Sequence, residues 1–427
     1  MTPARTHPVS FAPPPAAPPA ARYFAPPPFA GQSDYDGSWT RLAQVVAGIA
    51  PERLRVGLDI GDSRVATVDC AARTVTLSAA MAPDVDCRIT TLPMTLLPIM
   101  DREMEPRYAL MTARMTVDGP VALATRFCDL LYGHATESID LDRSALPAPT
   151  TDLATAWRDL RGHGYAIVRD ALPASQLAAL RRRLDEQAAA ERALGIAHMD
   201  GGPDGSPDQP NQRVWSLFNK GREFIDLLDH PLIDAIVPRF LGEYYLLSNY
   251  LANIANPGGV PMHMHTDQLL VQPPLRVAAG LNLFWFLDDV TEANGGTRLM
   301  PRSHARNVRP MDIYSIEGTI AAEGPAGSAL LFDSRLWHAT GPNRTDASRR
   351  AIISYFTRSW IRTYENAPLS ILPDVLDSVS DRIKSMLGLR VTASSGRIDG
   401  WHSGGEGTII DRDARCIPPL GLAPQGE

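Results

Sequence analysis

Alternating apolar and polar residues begin only after a proline-rich start, and they predict a first set of elements. A helical pattern runs over 38–46, with Ser38 as the expected N-cap. Short runs with a period of two follow, and the last helical pattern of this region ends at Leu131. The predicted strands lie at 54–60, 65–68, 75–77 and 86–90. Together these patterns predict an α+β domain over residues 37–134.

A second series of elements follows and is rich in strands. A helix at 152–161 and a strand at 165–168 open the series, and a long amphipathic helix begins at Ser175. Apolar runs with strand character lie further along the chain. These predicted strands are 246–253, 327–333 and 350–356. The patterns predict a second domain over residues 151–365.

The segments outside these two domains lack such regular patterns. Residues 1–36 are rich in proline and alanine, which disfavours helices and sheets and predicts a disordered or extended tail. Residues 135–150 are predicted to form a linker. The last segment, 366–427, is predicted to be a C-terminal helical extension, with helices over 366–388, followed by a tail.

The stretch 262–268, which reads M-H-M-H-T-D-Q, carries the first candidate chemistry. Residues i and i+2 of a strand point to the same side, so His265 and Asp267 can reach one metal ion. His338, which follows a short apolar run, supplies a third ligand from a distant segment. Two imidazoles and one carboxylate form the facial triad of non-haem Fe(II) oxygenases. His263 is a rival ligand, but only His265 forms the His-x-Asp triplet.

Arg349 stands eleven residues after His338, at the start of a predicted strand. A guanidinium group can pair with a carboxylate through two parallel hydrogen bonds. An arginine in this place suits a planar dicarboxylate within a pocket. We therefore hypothesise that Arg349 anchors the distal carboxylate of 2-oxoglutarate.

Two turns between the candidate metal ligands carry a family resemblance. Residues 288–296 read D-D-V-T-E-A-N-G-G, and residues 301–304 read P-R-S-H. With the His-x-Asp triplet and the later histidine, they resemble the phytanoyl-CoA dioxygenase family over roughly residues 150–365. The resemblance implies a double-stranded β-helix (jelly-roll) core, and it implies Fe(II), 2-oxoglutarate and O2. Carried over by position, the iron ligands are His265, Asp267 and His338, and the 2-oxoglutarate salt bridge is Arg349.

The same resemblance suggests further contacts. Thr340 occupies a position where the family often has a small hydroxyl near 2-oxoglutarate, and Asn253 matches a strand position that binds the cosubstrate in some relatives. Relatives often have tryptophan four residues before the first aspartate of the D-D turn. This chain has Phe284 there and Trp285 next to it, so both are candidate contacts. Trp215 is a further candidate for substrate contact.

The first domain is similar to the sterol-carrier-protein-2 fold in its order of strands and helices. It also has a late M-x-x-x-M-x-V-x-G stretch at 111–119. This resemblance implies a tunnel for a lipid or acyl chain. The alternative is a solid α+β core that docks on the second domain.

Composition and charge exclude some classes of binding partner. The 427 residues carry a net charge of −7, and no basic stripe with interleaved aromatic residues indicates nucleic acid. No apolar run is long enough to span a membrane, and no secretory signal is evident. The four cysteines form no C-x-x-C pair, which fits a reducing, cytoplasmic location. They are Cys70, Cys87, Cys128 and Cys416.

The combined expectation is an Fe(II)- and 2-oxoglutarate-dependent dioxygenase. It would hydroxylate an unactivated C–H bond of a small, hydrophobic or carrier-linked substrate and release succinate and CO2. The resemblance favours hydroxylation over halogenation, because related halogenases lack the carboxylate that Asp267 supplies here. Desaturation, epoxidation and cyclisation use the same ligands and stay open. The alternatives are a lipid-binding carrier with an inactive barrel, and a cupin dioxygenase without a keto acid, which would not need Arg349.

Overall fold

The computed structural model of the chain describes most of its length. The described residues are 34–104, 106–111, 114–132, 145–200, 211–259, 261–268, 277–305, 315–393, 395–399 and 404–410. The predicted tail before residue 34, most of the predicted linker, Cys416 and the end of the C-terminal tail lie outside these residues.

The first group of elements, here called the N-terminal module, spans Tyr35 to Tyr132. Its helices are α1 (Tyr35–Gly48), α2 (Pro93–Met100), α3 (Pro106–Met111) and α4 (Val121–Tyr132). Its strands are β1 (Arg55–Asp59), β2 (Val65–Asp69), β3 (Thr74–Ser78), β4 (Cys87–Thr90) and β5 (Thr116–Asp118). They form one sheet in the order β3-β2-β1-β4-β5, in which only β1 and β4 are parallel.

The start of α1 corrects the expected N-cap. The helix begins at Tyr35 because the side chain of Asp34 accepts a hydrogen bond from Gly37 N at 2.7 Å. Ser38 lies inside the first turn, where its hydroxyl donates to the carbonyl of Asp34. The tail predicted for residues 1–36 therefore overlaps the helix by its last two residues.

The core of the N-terminal module lies between one face of its sheet and its helices. Val56 and Leu58 of β1 alternate with residues of the more polar face and are fully buried. They share one apolar cluster with Leu42 of α1 and Phe127 of α4. Burial raises the pKa of the Cys87 thiol to about 11, which fits a packing role.

The second group of elements, here called the C-terminal module, spans Leu153 to Met386. Its helices are α5 (Leu153–His163), α6 (Ala174–Ala193), α7 (Arg222–Leu228), α8 (Pro231–Leu241), α9 (Ala367–Ser370), α10 (Pro373–Ser378) and α11 (Asp381–Met386). Its strands are β6 (Tyr165–Val168), β7 (His198–Asp200), β8 (Asn211–Val214), β9 (Tyr245–Ala255), β10 (Gly280–Phe286), β11 (Arg298–Met300), β12 (Ile320–Ala321), β13 (Ala329–Asp333), β14 (Trp337–Ala339) and β15 (Arg349–Arg358). The helical segment predicted over 366–388 consists of the three short helices α9 to α11.

The larger sheet of the C-terminal module has the order β6-β13-β10-β15-β9-β8-β7. Its two faces differ because neighbouring residues of a strand point in opposite directions. Leu283 and Ile352 belong to the face that packs on α5 to α8, within the largest apolar cluster. Phe284 and Ile353 point the other way, toward a second sheet.

That smaller sheet has the order β12-β11-β14. Leu299 of β11 packs with Phe332 and Phe286 of the larger sheet, so a thin apolar layer joins the two sheets. Trp337 and Ala339 form a separate cluster with Met264.

Candidate active site

A short ladder of backbone hydrogen bonds joins the two candidate histidines. His265 N donates to the carbonyl of His338 and His338 N donates to that of His265, both at 2.9 Å. The two residues are direct partners in an antiparallel bridge, which extends the smaller sheet beyond β14. Direct partners point to the same face, and the imidazole centroids lie 4.2 Å apart. The predicted meeting of these two distant segments is thus observed.

Asp267 completes the group of side chains. Its Oδ1 lies 3.6 Å from Nε2 of His265, and its Oδ2 lies 3.4 Å from Nε2 of His338. One ligand atom from each residue lies within 4.8 Å of the others, which is a spacing that one metal ion can bridge. Asn282, a residue of β10 that the sequence reading missed, donates its Nδ2 to Asp267 Oδ2 at 2.6 Å and orients the carboxylate.

The outer nitrogens of both imidazoles are also held. Nδ1 of His265 lies 3.0 Å from the carbonyl of His263, and Nδ1 of His338 lies 2.9 Å from the carbonyl of Leu336. A carbonyl only accepts hydrogen bonds, so Nδ1 carries the proton in each ring. The lone pair of Nε2 then points toward Asp267. Metal-binding histidines usually have such second partners, which fix the tautomer. The donor set therefore fits a metal ion.

Arg349 lies at the first position of β15 and is 3% exposed. Its NH2 group donates to the carbonyl of Gly295, while its Nε has no hydrogen-bond partner among the described residues. Burial lowers the pKa of this guanidinium to about 10, and the charge of Arg213 adds to the effect. A buried cation without a carboxylate partner is costly, so this end of the site favours an anion.

The D-D-x-x-x-x-N-G-G turn holds Arg349 by means of its backbone. Gly295 has a φ of +85°, and a Cβ atom at Gly341 would lie 2.5 Å from the carbonyl oxygen of Gly296. The turn and the segment after His338 therefore approach closely only because both carry glycine. Asp288, at the start of the turn, accepts hydrogen bonds from N and Nε of Arg350 at 2.8 and 2.9 Å.

A cavity of about 330 Å³ opens beside the three candidate ligands. Thr340, Phe284 and Trp215 line it, and their contacts with cosubstrate or substrate stay predictions. Asn253 and Arg349 are buried in the sheet on its inner face, and Asn253 Oδ1 has no partner among the described residues. Among the described residues, the lining consists of Arg213, Trp215, Asn249, Leu251, Met262, His263, His265, Thr266, Asp267, Asn282, Phe284, Thr297, His338, Ala339, Thr340, Ile353, Tyr355 and Tyr364.

Trp285 lies on the opposite face of the larger sheet, which corrects its candidacy as a substrate contact. It is fully buried in the cluster beneath the helices, where its indole nitrogen donates to Ser354 Oγ at 3.3 Å. Neighbouring strand residues point to opposite sides, so Phe284 and Trp285 cannot share one cavity. Of the two residues, Phe284 is the one that lines the cavity.

Several cavity residues carried no recognisable signal in the sequence. Arg213 reaches the cavity because β8 pairs with β9, which places it directly opposite Asn253. Asn249 and Tyr355 are direct partners across β9 and β15. Tyr364 comes from the loop after β15. Only the strand registers bring these side chains together. The strand predicted over 246–253 contains both Asn249 and Asn253. A period of two counted back from Asn253 would therefore have indicated Asn249.

Comparisons with known proteins agree with this arrangement. The phytanoyl-CoA dioxygenase (PhyH) family model matches residues 160–351, and the SCP-2 sterol transfer family model matches residues 45–132. No helix among the described residues is long and apolar enough to cross a membrane.

Three proteins illustrate the similarity of the chain to relatives of known sequence. "Dioxygenase af480" of Aspergillus fumigatus is 29% identical over 243 residues, 56% of this chain and 78% of that protein. The uncharacterized protein Rv1501 of Mycobacterium tuberculosis is 30% identical over 220 residues, 47% of this chain and 73% of that protein. "Iron/alpha-ketoglutarate-dependent dioxygenase ausO" of Aspergillus calidoustus is 26% identical over 277 residues, 61% of this chain and 91% of that protein. The chain therefore belongs to the phytanoyl-CoA dioxygenase family and is an iron- and 2-oxoglutarate-dependent enzyme that uses O2.

Proposed function

We propose that His265, Asp267 and His338 bind the iron ion. The observation that carries this proposal is the spacing of their ligand atoms, all within 4.8 Å of one another. The hydrogen bonds at both Nδ1 atoms and at the Asp267 carboxylate support it, because they leave Nε2 and one carboxylate oxygen to a metal ion. His263 lines the same cavity but is not within this group.

We further propose that Arg349 binds the distal carboxylate of 2-oxoglutarate and that Arg213 supports it. Both arginines lie on the inner face of the larger sheet, near Asn253, and the positive charge of Arg213 acts on Arg349. A dianionic cosubstrate would relieve the repulsion between the two cations. Thr340, which lines the cavity two residues after His338, is a candidate for a further hydrogen bond to it.

Iron and 2-oxoglutarate, when bound, use O2 to supply the oxidising power that cleaves an unactivated C–H bond, with succinate and CO2 as products. The chain's own contribution is to bind, orient and shield. Asn282 fixes the carboxylate of Asp267, and the backbone carbonyls fix both imidazoles. Phe284 and Leu251 supply apolar walls that limit the access of water.

The reaction that we propose is hydroxylation of a small, largely hydrophobic or carrier-linked molecule. The apolar side chains of the lining support this class of substrate. Desaturation, epoxidation and cyclisation would use the same ligands. The two facing sheets support the double-stranded β-helix core that the family resemblance implies.

The direct experiment is turnover of 2-oxoglutarate by the purified chain with Fe(II) and O2. Succinate should form slowly even without substrate, and His338→Ala and Asp267→Ala should abolish its formation. His263→Ala is the matched control at a histidine of the same cavity, and it should keep a measurable rate. Equal loss in all three variants would contradict the assignment of the ligands.

We propose a separate binding role for the N-terminal module, because residues 45–132 match a sterol-transfer family model. The module would hold a lipid or acyl chain. Titration of the whole chain with a fluorescent fatty acid, followed by photo-crosslinking and peptide mapping, tests this role. Labelled peptides confined to the C-terminal module would contradict it.

A further inference from the structure

The inner face of β9 has two chemically different ends. Asn249 and Asn253 point to the same side, and a rise of about 3.4 Å per residue places them about 14 Å apart. Asn253 pairs directly with Arg213, at the end that also holds Arg349. Asn249 pairs directly with Tyr355, at the other end. The first end suits a dianion, whereas the second end calls for a different ligand.

Two partly exposed aromatic side chains stand at this second end, here called the mouth end. Trp215 is 37% exposed and Tyr364 is 47% exposed, and both line the cavity. His198 packs edge-on against Trp215 with centroids 5.6 Å apart, and Tyr355 lies 6.1 Å from Tyr364. Each ring is thus supported by another ring and still presents apolar surface to the cavity.

A carboxylate ties the two aromatic side chains to one frame. Ser216, next to Trp215, has a φ of +52° and donates its backbone N–H to Glu365 Oε1 at 3.1 Å. Glu365 follows Tyr364 directly in the chain. The separation of the two rings is therefore fixed by a contact between their neighbours. Rings that are held in advance lose little freedom when a ligand binds.

Asn249 places a hydrogen-bond acceptor, unpaired within the described part of the chain, at the mouth end. Its Oδ1 is buried and has no hydrogen-bond partner among the described residues. A buried acceptor of this kind is stabilised by a donor, and the cavity is the space into which a donor can enter. A hydroxyl or N–H group of a ligand meets that requirement.

The charges that line the cavity exclude an ionic ligand at the mouth end. Besides the proposed metal ligands and His263, the ionisable side chains of the described lining are Arg213 and two tyrosines. Arg213 lies at the opposite end, directly opposite Asn253, and a tyrosine side chain is uncharged at neutral pH. A charged substrate group placed here would lose its hydration without gaining an ionic partner.

We infer that the mouth end is the substrate subsite and that it takes an uncharged molecule with a flat apolar ring and a hydrogen-bond donor. The ring lies against Trp215 and Tyr364, and the donor binds Asn249 Oδ1. The inference rests on the proposed function, which assigns the end near Arg349 to 2-oxoglutarate. The cavity of about 330 Å³ is at the lower end of the usual range for small-molecule sites, so a large substrate would extend outward over the two rings.

Four probe molecules separate the parts of this inference. 2-Naphthol has a flat ring and a donor, and 2-methoxynaphthalene lacks the donor. 2-Naphthoate carries a charge, and 1-decanol has a donor without a ring. Binding is measured by calorimetry on the whole chain, with and without Mn(II) and 2-oxoglutarate and without O2. We expect 2-naphthol to bind best, and the methoxy compound to bind about threefold to tenfold more weakly.

Five variants at four positions connect the probes to residues. Trp215→Ala should weaken the binding of 2-naphthol by about tenfold. Tyr364→Ala tests the second ring independently. Trp360→Ala is the matched control, because Trp360 is 58% exposed and does not line the cavity; it should bind as the unaltered chain does. In Asn249→Leu, 2-naphthol and 2-methoxynaphthalene should bind equally, whereas Asn249→Asp, which keeps an acceptor, should retain the preference for 2-naphthol.

The outcomes are distinguishable from failure of the proposed function. If 2-oxoglutarate binds but 2-naphthol does not, or if Trp215→Ala and Trp360→Ala behave alike, the substrate subsite is overturned alone. The comparison of probes counts only the binding that Trp215→Ala weakens, because the N-terminal module is proposed to bind acyl chains. If that part of the binding is stronger for 2-naphthoate or 1-decanol than for 2-naphthol, the subsite is also overturned. If 2-naphthol binds through Trp215 and Asn249 while 2-oxoglutarate fails to bind, the subsite stands and the assignment of the cosubstrate fails.

Discussion

Replacement of Arg349 by methionine should have opposite effects on the protein alone and on its complex with 2-oxoglutarate. The pKa of this guanidinium is lowered to about 10 from an ordinary value of 12.5. A difference of about 2.5 in pKa corresponds to a cost of roughly 3 kcal/mol for holding the charged form in the folded protein. Methionine removes that cost, and it forfeits a hydrogen bond to Gly295 that is worth about 1 kcal/mol. The free energy of unfolding of the protein alone should therefore stay constant or rise by up to about 2 kcal/mol.

The complex should respond in the other direction. Truncation of one partner of a buried charge pair costs about 2–5 kcal/mol of binding free energy, or roughly 30-fold to several thousand-fold in Kd. A ligand present at about 100 times its Kd stabilises the folded protein by about 2.7 kcal/mol. In Arg349→Met a roughly 30-fold weaker Kd leaves the same concentration at about 3 times Kd, so the stabilisation should fall to about 0.9 kcal/mol or less, about a third of the original value. Arg213 remains in place, which keeps the expected loss toward the lower end of the range.

The assay is thermal unfolding with Mn(II), with and without 2-oxoglutarate, in the absence of O2. Arg350→Met is the matched control, because Arg350 is the next residue but pairs with Asp288 and Asp185 on the other face. It should lower the unfolding temperature and keep the shift that 2-oxoglutarate produces. The reasoning is refuted if Arg349→Met retains the full shift, or if Arg350→Met is the variant that loses it.

Three further variants, one of them with a control variant elsewhere in the chain, test other parts of the site. Asn282→Leu removes the hydrogen bond to Asp267, and competitive titration should show metal affinity lower by about 10-fold to 100-fold; unchanged affinity would contradict a role for Asn282 in orienting the carboxylate. Gly341→Ala places a methyl group 2.5 Å from a carbonyl oxygen and should cost about 1–3 kcal/mol in urea unfolding, whereas Gly162→Ala, with open space around it, should gain about 0.5–1 kcal/mol. Burial raises the pKa of Glu365 from 4.5 to about 7, so the stability linked to its proton is fully present below about pH 4.5 and is lost as pH rises through about 7. In Glu365→Gln the free energy of unfolding should depend less on pH across this window. An unchanged dependence on pH would contradict the shift.

The local pattern of apolar and polar residues was sufficient to predict those elements whose position depends on a single sequence rule. The strand at Tyr165–Val168 follows from a short β-prone run, and the structure places it there. The start of α1 was misplaced because Asp34, and not Ser38, caps the helix. Both serine and aspartate are good caps, and the choice between them depends on which one stands where the helical φ and ψ angles begin.

The residues of the candidate site also divide into those that local sequence rules predict and those that they do not. His265 and Asp267 are two residues apart, so their meeting follows from strand geometry alone. Asn282 and Arg213 depend on which residues face each other across neighbouring strands, and a change of register by one residue would turn both away. Sequence order contains no direct record of that register, which is why these two residues were missed.

The most direct test of the central claim is an anomalous-difference map from crystals grown without O2 in the presence of Fe(II) and 2-oxoglutarate. We predict one iron peak bounded by Nε2 of His265, Nε2 of His338 and the carboxylate of Asp267, with the distal carboxylate of 2-oxoglutarate on Arg349. An iron peak elsewhere, or a cosubstrate whose distal carboxylate points away from that guanidinium, would contradict the account.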